Sequence, residues 1–417
     1  METPPFYITE ESVSDAYYEC LKNKKSTLSA VTFRVNEREN IRDLYREILS
    51  GTYSPGKSIV FITEGREVFA DFFRDRVVQT WVCLRVNPHL EQEFVPTTWN
   101  CRKGKGTLKA VQNLRRQIAE VTENFTVDAY VQIYDLSGFF MGIHRDGAAN
   151  RLCAFLEDRF VGNEKATLLW LVRKILTHAP EKDCIRVGNT KEWDNYPQRK
   201  SLFFNPGLPI GKFLSQIDGN FELNVVDHYI MCLSYVDRYV DDTARISRDK
   251  SMLLNTMPTI RKMLSITCGA KVNPRKYKFI NCNKDGFKYL GVIINKDKAY
   301  VSGKIVGRAY NLIRYYNKRI SPENAEKFMQ RLNSYLGMMI HYDNENERKW
   351  LISLISDKWD KYIIRDETCR KITLKTPTRC IIRENIRNRR KQFNNLKYSI
   401  KCHLSEPQSR QSVSSLS

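Results

Sequence analysis

A chain of 417 residues with 42% hydrophobic content is long enough for two or three domains and a substantial core. Its 68 Lys and Arg against 47 Asp and Glu leave a formal charge of +21, which selects a polyanionic partner, nucleic acid ahead of an anionic membrane. No apolar run approaches the ~20 residues that span a bilayer, and the start lacks the basic-then-apolar layout of a secretory leader, so no membrane partner and a cytoplasmic location are expected.

Residues 1–60 read as helices with one strand. The extended run is 31–35, Val-Thr-Phe-Arg-Val, and 41–49 has helical spacing of apolar residues. Residues 51–56 form a Gly/Pro loop, and 58–63 a buried strand. From 66 to 78 arginines interleave with aromatics, which suits phosphate contact with base stacking and equally an exposed amphipathic strand. A helix follows near 77–84. Cys101-Arg-Lys-Gly-Lys-Gly-Thr107 is a basic glycine loop opening a helix over 108–118. Its backbone amides, with Arg102, Lys103 and Lys105, could cradle a phosphate backbone; a solvated turn is the equal alternative. The loop lacks the Gly-Lys-Ser/Thr ending of a P-loop, which argues against an NTPase.

In 127–140, Ala129, Val131 and Ile133 alternate with Tyr130, Gln132 and Tyr134, the period of a strand. Asp135 falls where that strand ends, free to bind a metal or to cap the next helix. Helical patterns occupy 152–161 and 167–177, and a polar connection runs to Lys200. A Pro/Gly loop from Ser201 then leads into a helix over 213–229.

The stretch 231–246 contains an apolar strand, an acidic corner at Asp241-Asp242 and a second short strand. Two like charges about 4 Å apart repel by roughly 4 kcal/mol at an effective dielectric near 20. A fold that keeps such a pair supplies a cation or protonates one member. The other reading is a solvated hairpin turn. The 11 cysteines and 6 histidines include no Cys-x-x-Cys or His-x-x-x-His pair, so a thiolate or imidazole metal site is disfavoured and reduced thiols are expected. Hard carboxylate oxygens point to Mg²⁺. After the corner come a helix over 252–264, a basic turn at 273–278, a hydrophobic strand over 287–294, and amphipathic helices over 308–316 and 322–340. A strongly basic segment from Arg370 to Lys401 precedes a Ser/Gln-rich end expected to be disordered.

Brought together on one sheet, Asp135, Asp241 and Asp242 could hold two Mg²⁺ ions about 4 Å apart for in-line nucleotidyl transfer. At this point the chain resembles the reverse transcriptases. Tyr239-Val-Asp-Asp242 and Tyr134-Asp-Leu-Ser-Gly-Phe-Phe140 look like their two catalytic motifs. More narrowly, the chain is similar to reverse transcriptases of diversity-generating retroelements. It shares with them a Leu-Pro-Ile-Gly-x-x-x-Ser-Gln element (208–216), Arg66-Glu-Val-Phe-Ala, the loop 101–107 and Arg331-Leu-Asn-Ser-Tyr-Leu-Gly337.

The resemblance implies an α+β, right-hand polymerase fold with an antiparallel palm sheet and a helical thumb. Its parts would be an N-terminal region with fingers (1–125), a first palm segment (126–147), a fingers/palm helical segment (148–205), the main palm (206–300), a thumb (301–365) and a basic extension (366–417). Asp135, Asp241 and Asp242 would be the metal ligands, and Lys276 a proton donor to pyrophosphate, with Lys278 as its rival. Arg66, Phe140, Ile210, Gly211 and Gln216 would form the nucleotide pocket, with Phe140 as steric gate in place of an ordinary core aromatic. Ile210 stands where most relatives have Gln, which loosens discrimination between base pairs. Tyr289 and Gly291 would grip the primer; Arg331 and Tyr335 would contact the duplex. Partners would be template RNA, a cDNA primer, dNTPs and an accessory variability determinant protein. Lys212 and Asp237-Arg238 depart from the family pattern. The implied function is copying a template-repeat RNA into cDNA with errors opposite adenine, diversifying a target gene. An accurate retron- or group II intron-like enzyme, a non-catalytic RNA-binding protein on a polymerase scaffold and an RNA-dependent RNA polymerase are the rivals; Ile210, the three aspartates and Phe140 respectively argue against them.

Overall fold

Three helices, α1 (Glu10–Lys24), α2 (Leu28–Val35) and α3 (Glu37–Leu49), open the chain in a computed structural model that describes residues 6–385 and 387. Residues 31–35, expected to be extended, are instead the second half of α2. The Thr27 hydroxyl accepts from the Ala30 N–H at the helix start, and Ala30 and Phe33, three apart, are the buried pair. Cap and helical burial outweigh the extended preference of Val31, Thr32 and Val35.

A hairpin follows, β1 (Ser58–Thr63) with β2 (Arg66–Asp71), then the long helix α4 (Phe73–Glu93) and α5 (Thr107–Val121). The chain next runs through β3 (Tyr130–Tyr134), β4 (Leu136–Ser137), α6 (Phe139–Gly142), α7 (Arg145–Glu157), α8 (Glu164–Thr177), β5 (Cys184–Arg186) and α9 (Thr190–Asp194). The helix expected over 152–161 is α7, which begins earlier. Its first buried apolar residues are Ala148 and Ala149, too small to register as an apolar stripe. The polar connection expected before Lys200 holds β5, which extends the first hairpin by pairing parallel to β1.

Helix α10 (Phe213–Met231) is buried along most of its length and packs against α4 and α12. It leads to β6 (Tyr235–Tyr239) and β7 (Asp242–Ser247). Two helices, α11 (Lys250–Asn255) and α12 (Met257–Cys268), replace the single one expected over 252–264. Pro258 in the first turn of α12 cannot continue α11 but suits a helix start. Short strands β8 (Lys271–Val272) and β9 (Lys278–Asn281) follow.

The sheet that matters has the order β6-β7-β3-β9, with every pairing antiparallel. Four of the five residues of β3 are buried, on both faces. The polar Gln132 within it is satisfied: its Oε1 accepts from the Arg245 guanidinium (2.9 Å), and its Nε2 donates to the Tyr277 hydroxyl (2.7 Å).

A second compact unit begins at Gly286. It holds β10 (Phe287–Tyr289), β11 (Val292–Ile294) and β12 (Ala299–Val301) in one antiparallel sheet. Helices α13 (Gly303–Asn317), α14 (Pro322–Met339) and α15 (Glu345–Ser353) come next, and the hairpin β13 (Ile363–Arg365) with β14 (Ile372–Leu374) follows. The single strand expected over 287–294 is thus two strands folded at Leu290-Gly291. The core of this unit centres on Phe328, Leu332, Leu336, Leu351 and Trp359. The expected disordered end beyond Cys402 lies outside the described residues. Among the described residues no helix is long and apolar enough to cross a membrane, and their cysteines are free thiols.

Candidate active site

Sheet register brings the acids together. Tyr134 pairs with Thr243 across β3 and β7, so one step further Asp135 stands opposite Asp242. Tyr239 pairs with Asp242 across β6 and β7, leaving Val240 and Asp241 as a two-residue turn. Oxygens of Asp135, Asp241 and Asp242 all lie within 4.8 Å of one another. On the other side, the β3–β9 register carried past Ile133–Lys278 sets Lys276 beside Asp135. The Lys276 Nζ lies 2.8 Å from the Asp135 carboxylate. Of the two lysines considered, it is Lys276 that meets the acid.

Asp135 is held from its own backbone outward. Its carbonyl accepts from the Asn273 N–H (2.8 Å), and its second carboxylate oxygen accepts from the Asn273 amide (3.3 Å). Burial and then the Asp135 charge raise the Asp241 carboxyl above the usual range. Burial, Asp241 and Asp135 push Asp242 up to about 6. The positive charges of Arg66, at the exposed start of β2, and of Lys276 act in the opposite direction on both. Burial alone would lower the Lys276 pKa, but the hydrogen bond and charge of Asp135, with Asp242 and Asp241, raise it instead. Three crowded carboxylates, with ionisation of Asp241 and Asp242 opposed by burial and by their acidic neighbours, are a fit for divalent cations, and their hard oxygens suit Mg²⁺ or Mn²⁺.

The turn itself is strained and braced. Val240 has φ +58°, an outlier for a β-branched residue. Its N–H donates to Asn100 Oδ1 (2.9 Å), and its carbonyl accepts from Arg238 Nη1 (2.9 Å). Arg238 is buried and paired with the buried Asp227 at 2.6 Å, and it also reaches Asn220 Oδ1. The Asn220 amide returns to the Asn100 carbonyl (2.9 Å). Asp237 accepts from Trp99 Nε1 (2.8 Å) and from the Asn113 amide (2.9 Å). The departures at 237 and 238 therefore anchor the acidic corner from behind. Asn100, Asp227 and Asn220 went unnoticed in the sequence. The available signal was a charged Asp-Arg pair inside a strand otherwise apolar enough to be buried, which demands partners.

The other expected site residues fall in three places. In the first unit, Gly219 of α10 leaves room for the Phe140 ring: a Cβ there would meet Phe139 and Phe140 at 3.3 Å. Ile210 and Gly211 lie on a loop against β2, and the Gln216 Oε1 accepts from the Cys101 thiol (3.3 Å). In the basic loop, Arg102 spends its guanidinium on the Val95 and Thr98 carbonyls and on Glu91. Lys105 donates to the Pro96 carbonyl (2.6 Å) over the Trp99 ring, and Lys103 is exposed. In the second unit, Tyr289 is buried, Gly291 forms the β10–β11 turn, Arg331 is exposed and Tyr335 is half-buried against the α14 core.

Residues 72–294, more than half of the chain and spanning all three acids, match the family described as reverse transcriptase (RNA-dependent DNA polymerase). The chain belongs to that family. That family is one of RNA-directed DNA polymerases, nucleotidyltransferases with the right-hand polymerase fold that work with divalent cations, RNA templates and nucleotides. Similar solved structures include apo telomerase from Candida tropicalis truncated from its C-terminal domain (12% identity, 59% of this chain and 55% of that one, TM-score 0.44). Another is telomerase from Candida albicans with a TWJ fragment of telomeric RNA (10% identity, 72% and 55%, TM-score 0.43). The reverse transcriptase spans about half the length of these two chains. No curated protein gave a match.

Proposed function

We propose that the chain copies an RNA template into DNA at the Asp135–Asp241–Asp242 cluster, and that it does so as the error-prone polymerase of a diversity-generating retroelement. The observation that carries the first part is the convergence of three carboxylates within 4.8 Å from segments more than 100 residues apart. Asp135, Asp241 and Asp242 would hold two Mg²⁺ ions. Bound there, such ions supply the Lewis acidity that activates a primer 3′-hydroxyl and offsets charge on departing pyrophosphate. The chain's own groups do the rest. Lys276, kept protonated by its acidic neighbours, can give a proton to the leaving pyrophosphate. Arg66 offers a positive charge beside the corner for the incoming triphosphate. Phe140, seated against Gly219, would exclude a ribose 2′-hydroxyl. Arg102, Lys103 and Lys105, with Tyr289, Gly291, Arg331 and Tyr335, would engage template and product; of the basic trio, exposed Lys103 is best placed for phosphate.

The error-prone part rests on Ile210 and on the motif set shared with that retroelement group, as does an accessory variability determinant partner. The aliphatic side chain at 210 cannot hydrogen-bond a base pair, so discrimination by polar contact is lost.

Primer extension by the purified chain on an RNA template tests the first part. Wild type should extend with dNTPs and Mg²⁺, and Asp241→Ala/Asp242→Ala should not. Extension by the double variant, or equal use of rNTPs, would overturn the reading. Sequencing the cDNA tests the second part: errors should concentrate opposite template adenine, and uniformly low error there removes the retroelement assignment while leaving the polymerase intact.

A further inference from the structure

The loop from Gly207 to Lys212 lies between two other parts of the nucleotide pocket. Its Leu208 N–H donates to the Phe140 carbonyl (2.8 Å), and its Ile210 carbonyl accepts from the Phe69 N–H of β2 (2.8 Å). Gly211 has φ +107°, and a Cβ there would sit 2.6 Å from the Phe69 carbonyl oxygen, so only glycine permits this approach to β2. Two buried cations hold the loop at its ends. Arg145 donates to the Gly207 carbonyl (2.6 Å) while paired through both terminal nitrogens with Glu181 (2.9 and 3.0 Å). Lys212, 1% exposed, places its Nζ 3.2 Å from Asp71 Oδ1 and 2.7 Å from His178 Nδ1.

Asp71 is the last residue of β2, the strand that begins with Arg66. It also accepts from the Ser58 hydroxyl (2.6 Å) and from Gln79 Nε2. Gln79 in turn accepts from the Phe213 N–H that starts α10 (3.0 Å). An ammonium buried this completely is costly unless its partners are fixed, and these are. Lys212 is therefore tied to the strand that carries Arg66 and sits two residues from Ile210.

We propose that Lys212 is a specificity-determining positioning residue: its ion pair with Asp71 sets Ile210 against β2 and so sets how tightly and how selectively the enzyme holds the incoming nucleotide. The inference rests on the reading of Ile210 and Arg66 as nucleotide-pocket residues. It separates nucleotide handling from chemistry, because Lys212 touches neither substrate nor the acids.

The test compares the full-length wild type with Lys212→Met and with Lys212→Met/Asp71→Asn. The double variant leaves no unpaired buried charge, so it folds even if the single one does not. In single-nucleotide extension, the KM for dNTP should rise about tenfold and the misincorporation ratio should shift, with kcat falling less than about threefold. Hydrogen exchange at the Leu208 and Phe213 amides should speed up in both variants, a readout that needs no polymerase activity. Unchanged exchange, or unchanged KM and misincorporation in a folded variant, overturns the proposal. Absence of extension by wild type counts instead against the polymerase reading, and exchange still decides the role of Lys212 in holding the loop.

Discussion

Among the described residues three hairpins close with two-residue turns, at Glu64-Gly65, Val240-Asp241 and Leu290-Gly291, and the last two carry backbone strain in opposite ways. At Leu290-Gly291 both residues have positive φ, the primed turn that matches strand twist, and glycine occupies the second position. Its needs are met locally, with the Gly291 carbonyl accepting from Ser302 (2.9 Å). At Val240-Asp241 only the first residue has positive φ, where such a turn ordinarily wants glycine, and a β-branched side chain stands there instead. That turn is braced by Asn100 and by a buried Arg238–Asp227 pair reached from other segments. The difference teaches that the acidic corner is held in shape by the fold around it, as expected where strain serves a site.

The largest expected effect separates shape from charge at the braced turn. Asp241→Asn keeps the backbone and removes one carboxylate, so primer extension should fall by roughly 1,000-fold, while thermal stability holds or rises because burial and Asp135 already oppose that charge. Next is the brace itself. Arg238→Met strands Asp227 in the interior and should cost about 3–5 kcal/mol in denaturant unfolding. Arg238→Met/Asp227→Leu should recover most of that stability but not extension, since the Val240 carbonyl stays without its donor. At the locally satisfied turn, Gly291→Ala forces a Cβ into positive φ and within 2.9 Å of the Ile305 side chain. A loss of about 1–2 kcal/mol is expected by the same measurement. Smallest is Val240→Gly: relief of strain is offset by chain entropy, so stability should move by less than about 1 kcal/mol. A larger loss would mean that side-chain packing, not strain, dominates there, and the contrast between the turns would fail.

Much of the site was legible because its signals are local. The alternation in 129–134 and the β-forming residues around Asp241-Asp242 each report a strand and its end, and α10 announces itself through the Pro/Gly loop before it. What stayed hidden depends on partners that the fold, not the local pattern, supplies. Arg102 and Lys105 read as open phosphate ligands, yet nearby carbonyls at 95–98 and Glu91 take their donors. Lys212 and Arg238 read only as departures from the family pattern, and their partners, 141 and 11 residues away, put them inside. The segment 31–35 failed for a different reason: a threonine cap and one buried Ala–Phe pair decided the backbone against its β-branched residues.

The order β6-β7-β3-β9 has a kinetic consequence. Strand β3 is synthesised early, but both its neighbours come more than 100 residues later, and pairing across such separations pays loop-closure entropy before any contact rewards it. During translation Asp135 must therefore wait, with its strand edges uncovered, until the ribosome has released the chain through Asn281. A nascent chain stalled before that point would expose a tyrosine-bearing edge free to pair with the wrong neighbour.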